Sequence, residues 1–99
     1  MTVTPSVVFH PETAREIQGA FDWYQKRDES SARAFALEID IAVERIAASP
    51  TRWPKLAEGI RRYLLKRFPF SMIYRIKGDE IQIIAVAHAR RRPGYWGAR

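Results

Sequence analysis

Apolar and polar residues recur along the chain with two different periods, and these periods predict where helices and strands form. Val7 to Phe9 is a short run of strand-forming residues. Two longer stretches, residues 12–27 and residues 32–48, repeat apolar side chains three or four positions apart, as amphipathic helices do. Three later stretches favour strands, and they run from Ile60 to Phe68, from Phe70 to Lys77 and from Glu80 to His88.

The two predicted helices differ in how much of their surface is apolar. The first should begin at His10-Pro11-Glu12, because proline in the first turn loses no required hydrogen bond. A turn at residues 28–31 precedes the second, with Ser30 or Ser31 as its expected N-cap. The stripes expected to be buried are Ala14, Ile17, Phe21 and Tyr24, then Phe35, Ile39, Ala42 and Ile46, widened by Val43. At ~100° per residue, Leu37 and Ile41 point nearly opposite, so they are either covered by the first helix or offered to a partner.

The three later strands are predicted to follow one another as an antiparallel meander. Gly78-Asp79 is a two-residue hairpin link, and Pro69 should bend the chain before the middle strand. Residues 51–59 are expected to be a loop anchored by Trp53. The order β-α-α-β-β-β predicts one α+β domain over residues 1–99, in which a helical hairpin packs on a small, twisted, mostly antiparallel sheet.

Composition narrows the possible chemistry. The chain has no cysteine, which excludes disulfides and thiolate metal sites, and its two histidines are far apart in sequence. No apolar run approaches the ~20 residues of a membrane helix, and residues 1–9 lack a signal-peptide pattern. We therefore expect a cytoplasmic protein with no metal, no cofactor and no membrane partner.

Charge is distributed unevenly along the chain. The net charge is +6, yet residues 1–51 hold five basic and eight acidic residues, whereas residues 52–99 hold twelve basic and three acidic ones. A basic surface of this kind favours a polyanion or an acidic protein as partner. The triplet Arg90-Arg91-Arg92, followed by Tyr95 and Trp96, adds planar aromatic faces to the charge.

Several stretches, taken in chain order, resemble the RelE/ParE family of bacterial toxins. They are Phe9 to Ala14, Arg45 to Pro54, Ile60 to Tyr63, Phe68 to Ile76, Ile81 to His88, and Arg90 to Trp96. The resemblance implies the toxin of a type II toxin–antitoxin pair, neutralised by an antitoxin whose C-terminal segment wraps it. It also implies two alternative targets. ParE-like members inhibit DNA gyrase, whereas RelE-like members cut mRNA on the ribosome without a metal.

One position favours the gyrase alternative over the nuclease. A metal-free nuclease must activate a ribose 2′-hydroxyl and stabilise a charged phosphorane. The resemblance implies an arginine on the middle strand, three residues before a tyrosine, but Ser71 stands there before Tyr74. If the chain is a nuclease, its candidate catalytic residues are Arg61, Arg62, His88 and Arg90. For His88 the alternative is a structural role, because its spacing with Ile84 and Val86 turns it towards the core.

Two further sets of residues are candidates for partner binding. The expected antitoxin-binding residues are Leu37, Ile41, Arg61 and Arg75. The expected target-binding residues are Arg90, Arg91, Arg92 and Tyr95. The antitoxin should be acidic where it wraps the basic sheet.

Overall fold

Two helices and five strands follow one another in residues 5–99, the part of the chain that the computed structural model describes. They are β1 Ser6–Phe9, α1 Pro11–Arg27, α2 Glu29–Ala48, β2 Lys55–Ala57, β3 Ile60–Leu64, β4 Phe70–Lys77 and β5 Glu80–His88. The strands form one sheet in the order β1-β5-β4-β3-β2, in which β1 runs parallel to β5 and the other pairs are antiparallel. The predicted α+β architecture is confirmed. The expectation that residues 1–9 carry no signal peptide falls partly on residues 1–4, which lie outside the described residues.

Polar side chains cap both helices and set where they begin. The His10 Nδ1 atom accepts the Glu12 backbone N–H at 3.0 Å, so α1 begins at Pro11, as the sequence predicts. The Asp28 carboxylate accepts the Ser30 backbone N–H at 3.1 Å. The N-cap of α2 is therefore Asp28, and the prediction of Ser30 or Ser31 was wrong. Both serine hydroxyls donate to Asp28 instead, which leaves a single residue between the two helices.

The main core lies between the helices and one face of the sheet, the helix side. The predicted stripe of α2 is confirmed, since Phe35, Ile39, Ala42 and Ile46 are all buried there. The α1 stripe is wrong at Ala14, which is exposed, while the neighbouring Thr13 is fully buried. A buried hydroxyl needs a partner, and that of Thr13 donates to the Ile83 carbonyl at 3.1 Å.

The strands at Phe70–Lys77 and Glu80–His88 have their predicted bounds, but the chain before them differs from the prediction in two places. The strand predicted from Ile60 to Phe68 ends at Leu64, because the Glu38 carboxylate accepts the backbone N–H groups of Lys66 and Arg67 and draws the chain out of the sheet. The predicted loop at residues 51–59 contains β2, whose three residues are all exposed. A strand with no buried face leaves no alternating pattern, so the sequence could not indicate it.

A bulge in β5 divides its side chains between the two faces of the sheet. Ile73 pairs with Ala85, but the next residue of β4, Tyr74, pairs with Ile83, so Ile84 is an extra residue. As a result Ile84 and Ala85 both pack with Ile73 in a second cluster on the opposite face, the outer face. Trp96 and Tyr95 cover this cluster, which holds residues 89–99 against the sheet. Residues 89–99 are called the basic segment below.

Candidate functional site

The neighbouring residues Arg61 and Arg62 point to opposite faces of β3. Arg61 lies opposite the core residue Tyr74 and therefore on the helix side, whereas Arg62 lies opposite Ile73 on the outer face. The Arg61 guanidinium donates to the backbone carbonyls of Trp53 at 2.7 Å and Thr51 at 3.0 Å. Arg61 is thus engaged in holding the 51–54 loop, and only Arg62 faces the outer surface.

His88 lies at the end of β5 and its ring packs edge-on against Phe70, with ring centroids 5.0 Å apart. Because the bulge resets the alternation, His88 shares the helix side with Val86 rather than with Ile84. The His88 Nδ1 atom accepts the Arg90 backbone N–H at 3.0 Å. The side chain of Arg90 itself is exposed. The candidate catalytic residues are therefore spread over both faces of the sheet.

The outer face carries a shallow basic cleft of about 430 Å³. Its floor consists of Ser71, Ile73 and Ala87, and the basic segment forms one wall. Arg62, Arg91 and Arg92 surround it, and all three side chains are exposed. We call this feature the outer cleft. Three guanidinium groups around an uncharged floor can bind carboxylates or phosphates through paired hydrogen bonds.

Arg75 lies on the same outer face but is tied down. Its Nε atom donates to the Gln82 side-chain oxygen at 2.6 Å, and its Nη2 atom donates to the Arg99 carbonyl at 3.2 Å. Gln82 in turn donates to Glu80 at 2.8 Å. Arg75 therefore joins β4, β5 and the basic segment. A partner that binds its guanidinium has to do so while these hydrogen bonds hold the side chain in place.

Glu16, which sequence reasoning missed, is the centre of a polar network that joins α1, β5 and the basic segment. Its Oε1 atom accepts the Val86 backbone N–H at 3.0 Å and Arg99 Nη1 at 2.9 Å. Its Oε2 atom accepts the Tyr95 hydroxyl at 2.5 Å and Arg99 Nη2 at 3.1 Å. Arg99 also donates to the Ile84 carbonyl at 3.0 Å. Nothing in the local sequence separates Glu16 from the solvated acids of α1, because its partners are 70 to 83 residues away.

Tyr95 stands between the outer cleft and a second depression. That depression is an aromatic groove of about 530 Å³, lined chiefly by α1 and the ends of β4 and β5, including Trp23, Tyr24, Phe70 and His88. Burial and the hydrogen bond to Glu16 raise the pKa of the Tyr95 phenol to about 12. The Arg91 guanidinium lies 4.0 Å above its ring. Tyr95 and Arg91, together with His88, thus form the ridge that both depressions share.

Leu37 and Ile41 are exposed on the surface of α2, with 57% and 39% of their area accessible. They are not covered by α1, so that alternative is wrong, and their binding to a partner stays a prediction. They lie on the helical layer, whereas Arg75 lies on the far side of the sheet. The four expected antitoxin-binding residues therefore do not form one patch, and only a chain that wraps the molecule can contact them together.

Two further findings concern residues 5–99 as a whole. No helix among them is both long enough and apolar enough to cross a membrane. No three side chains of His, Asp or Glu in this range are grouped so that they could hold a metal ion.

Comparisons with known proteins agree with this architecture. Ten chains of solved structures match this one. One belongs to the chromosomal ParDE toxin–antitoxin system from P. aeruginosa; it is 25% identical, with a TM-score of 0.75, and the match covers 86% of this chain and 96% of that one. No curated protein sequence matches the chain. The family described as the ParE toxin of the type II toxin–antitoxin system parDE matches residues 7–93. The chain therefore belongs to the ParE toxin family of type II toxin–antitoxin systems, and this supports the ParE-like alternative rather than the RelE-like one.

Proposed function

We propose that this toxin acts by binding rather than by catalysis, that its target is DNA gyrase in the cytoplasm, and that an acidic antitoxin segment neutralises it by covering the basic outer face. The family assigns the toxin role and implies an antitoxin partner. The choice of target and the chemistry of the antitoxin are inferences from the surface.

The observation that carries the proposal is that two of the candidate catalytic groups, Arg61 and His88, are already engaged with backbone groups of the protein itself. A nuclease needs several such groups within hydrogen-bond reach of one phosphate. Among residues 5–99, Arg61 binds loop carbonyls on the helix side, and Ser71 supplies only a hydroxyl to the floor of the outer cleft. His88 lines both depressions, but its ring packs edge-on against Phe70 and its Nδ1 atom accepts the Arg90 backbone N–H. The arginines that face the cleft are suited to binding an anion.

Charge supports an acidic antitoxin on the sheet rather than on the helices. The α2 helix holds four acidic residues and two arginines, whereas the outer cleft is surrounded by arginines and no acid lines it. An acidic segment is therefore attracted to the sheet and to the basic segment. Contacts with Leu37 and Ile41 would then be made by an apolar part of the same chain.

The test measures two activities of the same purified toxin. We expect it to inhibit supercoiling by DNA gyrase and to leave mRNA on translating ribosomes intact. In cells without antitoxin, induction should produce double-strand breaks and an SOS response. The double variant R91Q/R92Q should weaken gyrase inhibition, whereas R15Q, an exposed arginine on α1, is the matched control and should not. Codon-positioned cuts in mRNA with normal gyrase activity would contradict the proposal and return His88 and Arg90 to catalytic candidacy.

A further inference from the structure

Glu16 is the only acid among the described residues whose carboxylate links a helix, a strand and the basic segment. Both its oxygen atoms are engaged, by the Val86 N–H, the Tyr95 hydroxyl and the two terminal nitrogens of Arg99. The side chains of Glu16 and Arg99 are only 16% and 15% exposed. A paired, largely desolvated interaction of this kind is short and directional.

This arrangement lies beside the bulge in β5. The extra residue Ile84 interrupts the ladder between β4 and β5, and nearby the Val86 N–H bonds to Glu16 while the Ile84 carbonyl bonds to Arg99. The carboxylate and guanidinium thus satisfy backbone groups of β5 and fasten residues 95–99 in the same step. Tyr95 is held at its hydroxyl by Glu16, and its ring lies under the Arg91 guanidinium.

We propose that Glu16 is a positioning residue for target binding, because it anchors Tyr95 and Arg99 and thereby holds Arg91 at the ridge between the outer cleft and the aromatic groove. This inference rests on the proposed function, in which the basic segment meets gyrase. Glu16 itself has no free oxygen to offer to a partner. It acts through Tyr95, whose ring gives Arg91 a defined place by a cation–π contact.

A positioning role differs from a general contribution to stability in one measurable way. If Glu16 acts by placing Arg91, then removing Arg91 should make the loss of Glu16 harmless to gyrase inhibition. The effects of the two substitutions on the half-inhibitory concentration are then not additive. If Glu16 only stabilises the domain, the losses should add.

The experiment compares E16Q, Y95F, R91Q and E16Q/R91Q in the full chain. Gln can still accept one hydrogen bond, but its amide N–H group faces the Arg99 donors, so the paired contact is lost. Amides of residues 89–99 should exchange hydrogen about ten- to a hundredfold faster in E16Q, and to a smaller extent in Y95F, which removes only the hydroxyl. The half-inhibitory concentration for gyrase should rise about tenfold in E16Q and in R91Q, with no further rise in the double variant.

The matched control is D22N, which removes a carboxylate from the exposed side of α1, where Asp22 accepts a hydrogen bond from the Gln18 side chain. It should leave both readouts unchanged. If E16Q does not fold, Y95F carries the same test, because it removes the hydroxyl bond to Glu16 that fixes the ring beneath Arg91.

The two readouts separate this inference from the proposed function. If the wild-type toxin does not inhibit gyrase, the proposed target is wrong and the inference falls with it, whatever the exchange rates show. If the wild type inhibits gyrase but E16Q exchanges normally or inhibits equally well, only the positioning role is overturned. Additive losses in E16Q/R91Q would likewise overturn it.

Discussion

At the scale of single residues, neighbours in the sequence take different roles because a strand alternates its faces. Arg61 and Arg62 have the same side chain and stand next to each other in the same strand, β3. Arg61 satisfies two carbonyls of the 51–54 loop, while Arg62 is exposed beside the outer cleft. The loop also contains Trp53, whose ring packs edge-on against Tyr63 at 4.6 Å. We therefore assign Arg61 to stability and Arg62 to binding.

This assignment predicts opposite results for two alanine substitutions. R61A should lower the free energy of unfolding by about 1–2 kcal/mol, because it removes charge-assisted hydrogen bonds and frees the loop. R62A should change it by less than about 0.5 kcal/mol. Urea denaturation measures both values. The effects on antitoxin affinity should have the opposite order, with R62A binding more weakly than R61A. Equal free energies of unfolding in the two variants would show that Arg61 does not hold the loop.

At the scale of elements, the acidic cap of α2 is a separate source of stability. Hydrogen bonds from Ser31 and Ser30 lower the pKa of the Asp28 carboxyl below its ordinary value. A carboxyl whose pKa is depressed by folding stabilises the native state above its unfolded pKa. That contribution is lost as the pH falls through the lower, folded value.

Two substitutions at Asp28 test this cap. D28A should destabilise the toxin at neutral pH, and D28N should do so less, because asparagine also caps helices. The stability difference between wild type and D28N should shrink as the pH falls below about 4, the ordinary value of the unfolded carboxyl, towards the lower pKa of the folded state. Thermal unfolding across the acid range provides the measurement. D40N, at an exposed position on the same helix, is the control. If the stability difference between wild type and D28N stayed the same at low pH, the contribution of the Asp28 carboxylate to the cap would be contradicted.

The elements also show why some features could be predicted from sequence and others could not. The α2 stripe and the hairpin at Gly78 follow from local spacing and turn chemistry, and both are found. The exposed β2 leaves no periodic pattern, and the bulge at Ile84 depends on how β5 pairs with β4. Glu16 is paired with residues brought near only by the fold. The sequence thus shows which residue types could form a site, but it does not show which of these residues come into contact in the fold.

At the scale of the whole molecule, the helical layer and the sheet present different surfaces. The helical layer carries the exposed apolar pair Leu37 and Ile41 on an acidic helix. The sheet and the basic segment carry the arginines of the outer cleft, with the exposed Leu56 and Leu64 on the strands beside them. A wrapping partner therefore meets two different chemistries. Long-range attraction to the sheet should set how fast it arrives, and apolar contacts on α2 should set how long it stays.

This division predicts how the association with the antitoxin responds to salt. Raising ionic strength from 0.1 M to 1 M shortens the screening length from about 10 Å to about 3 Å, so the association rate should fall at least about tenfold. Stopped-flow mixing of toxin and antitoxin measures this rate directly. R91Q/R92Q should flatten the salt dependence, because it removes charge from the outer cleft. L37A should leave the association rate and its salt dependence unchanged and accelerate dissociation instead. An association rate that does not depend on salt would mean that the antitoxin does not approach through the basic sheet. If the rate depended on salt but R91Q/R92Q left that dependence unaltered, the antitoxin would approach elsewhere on the molecule.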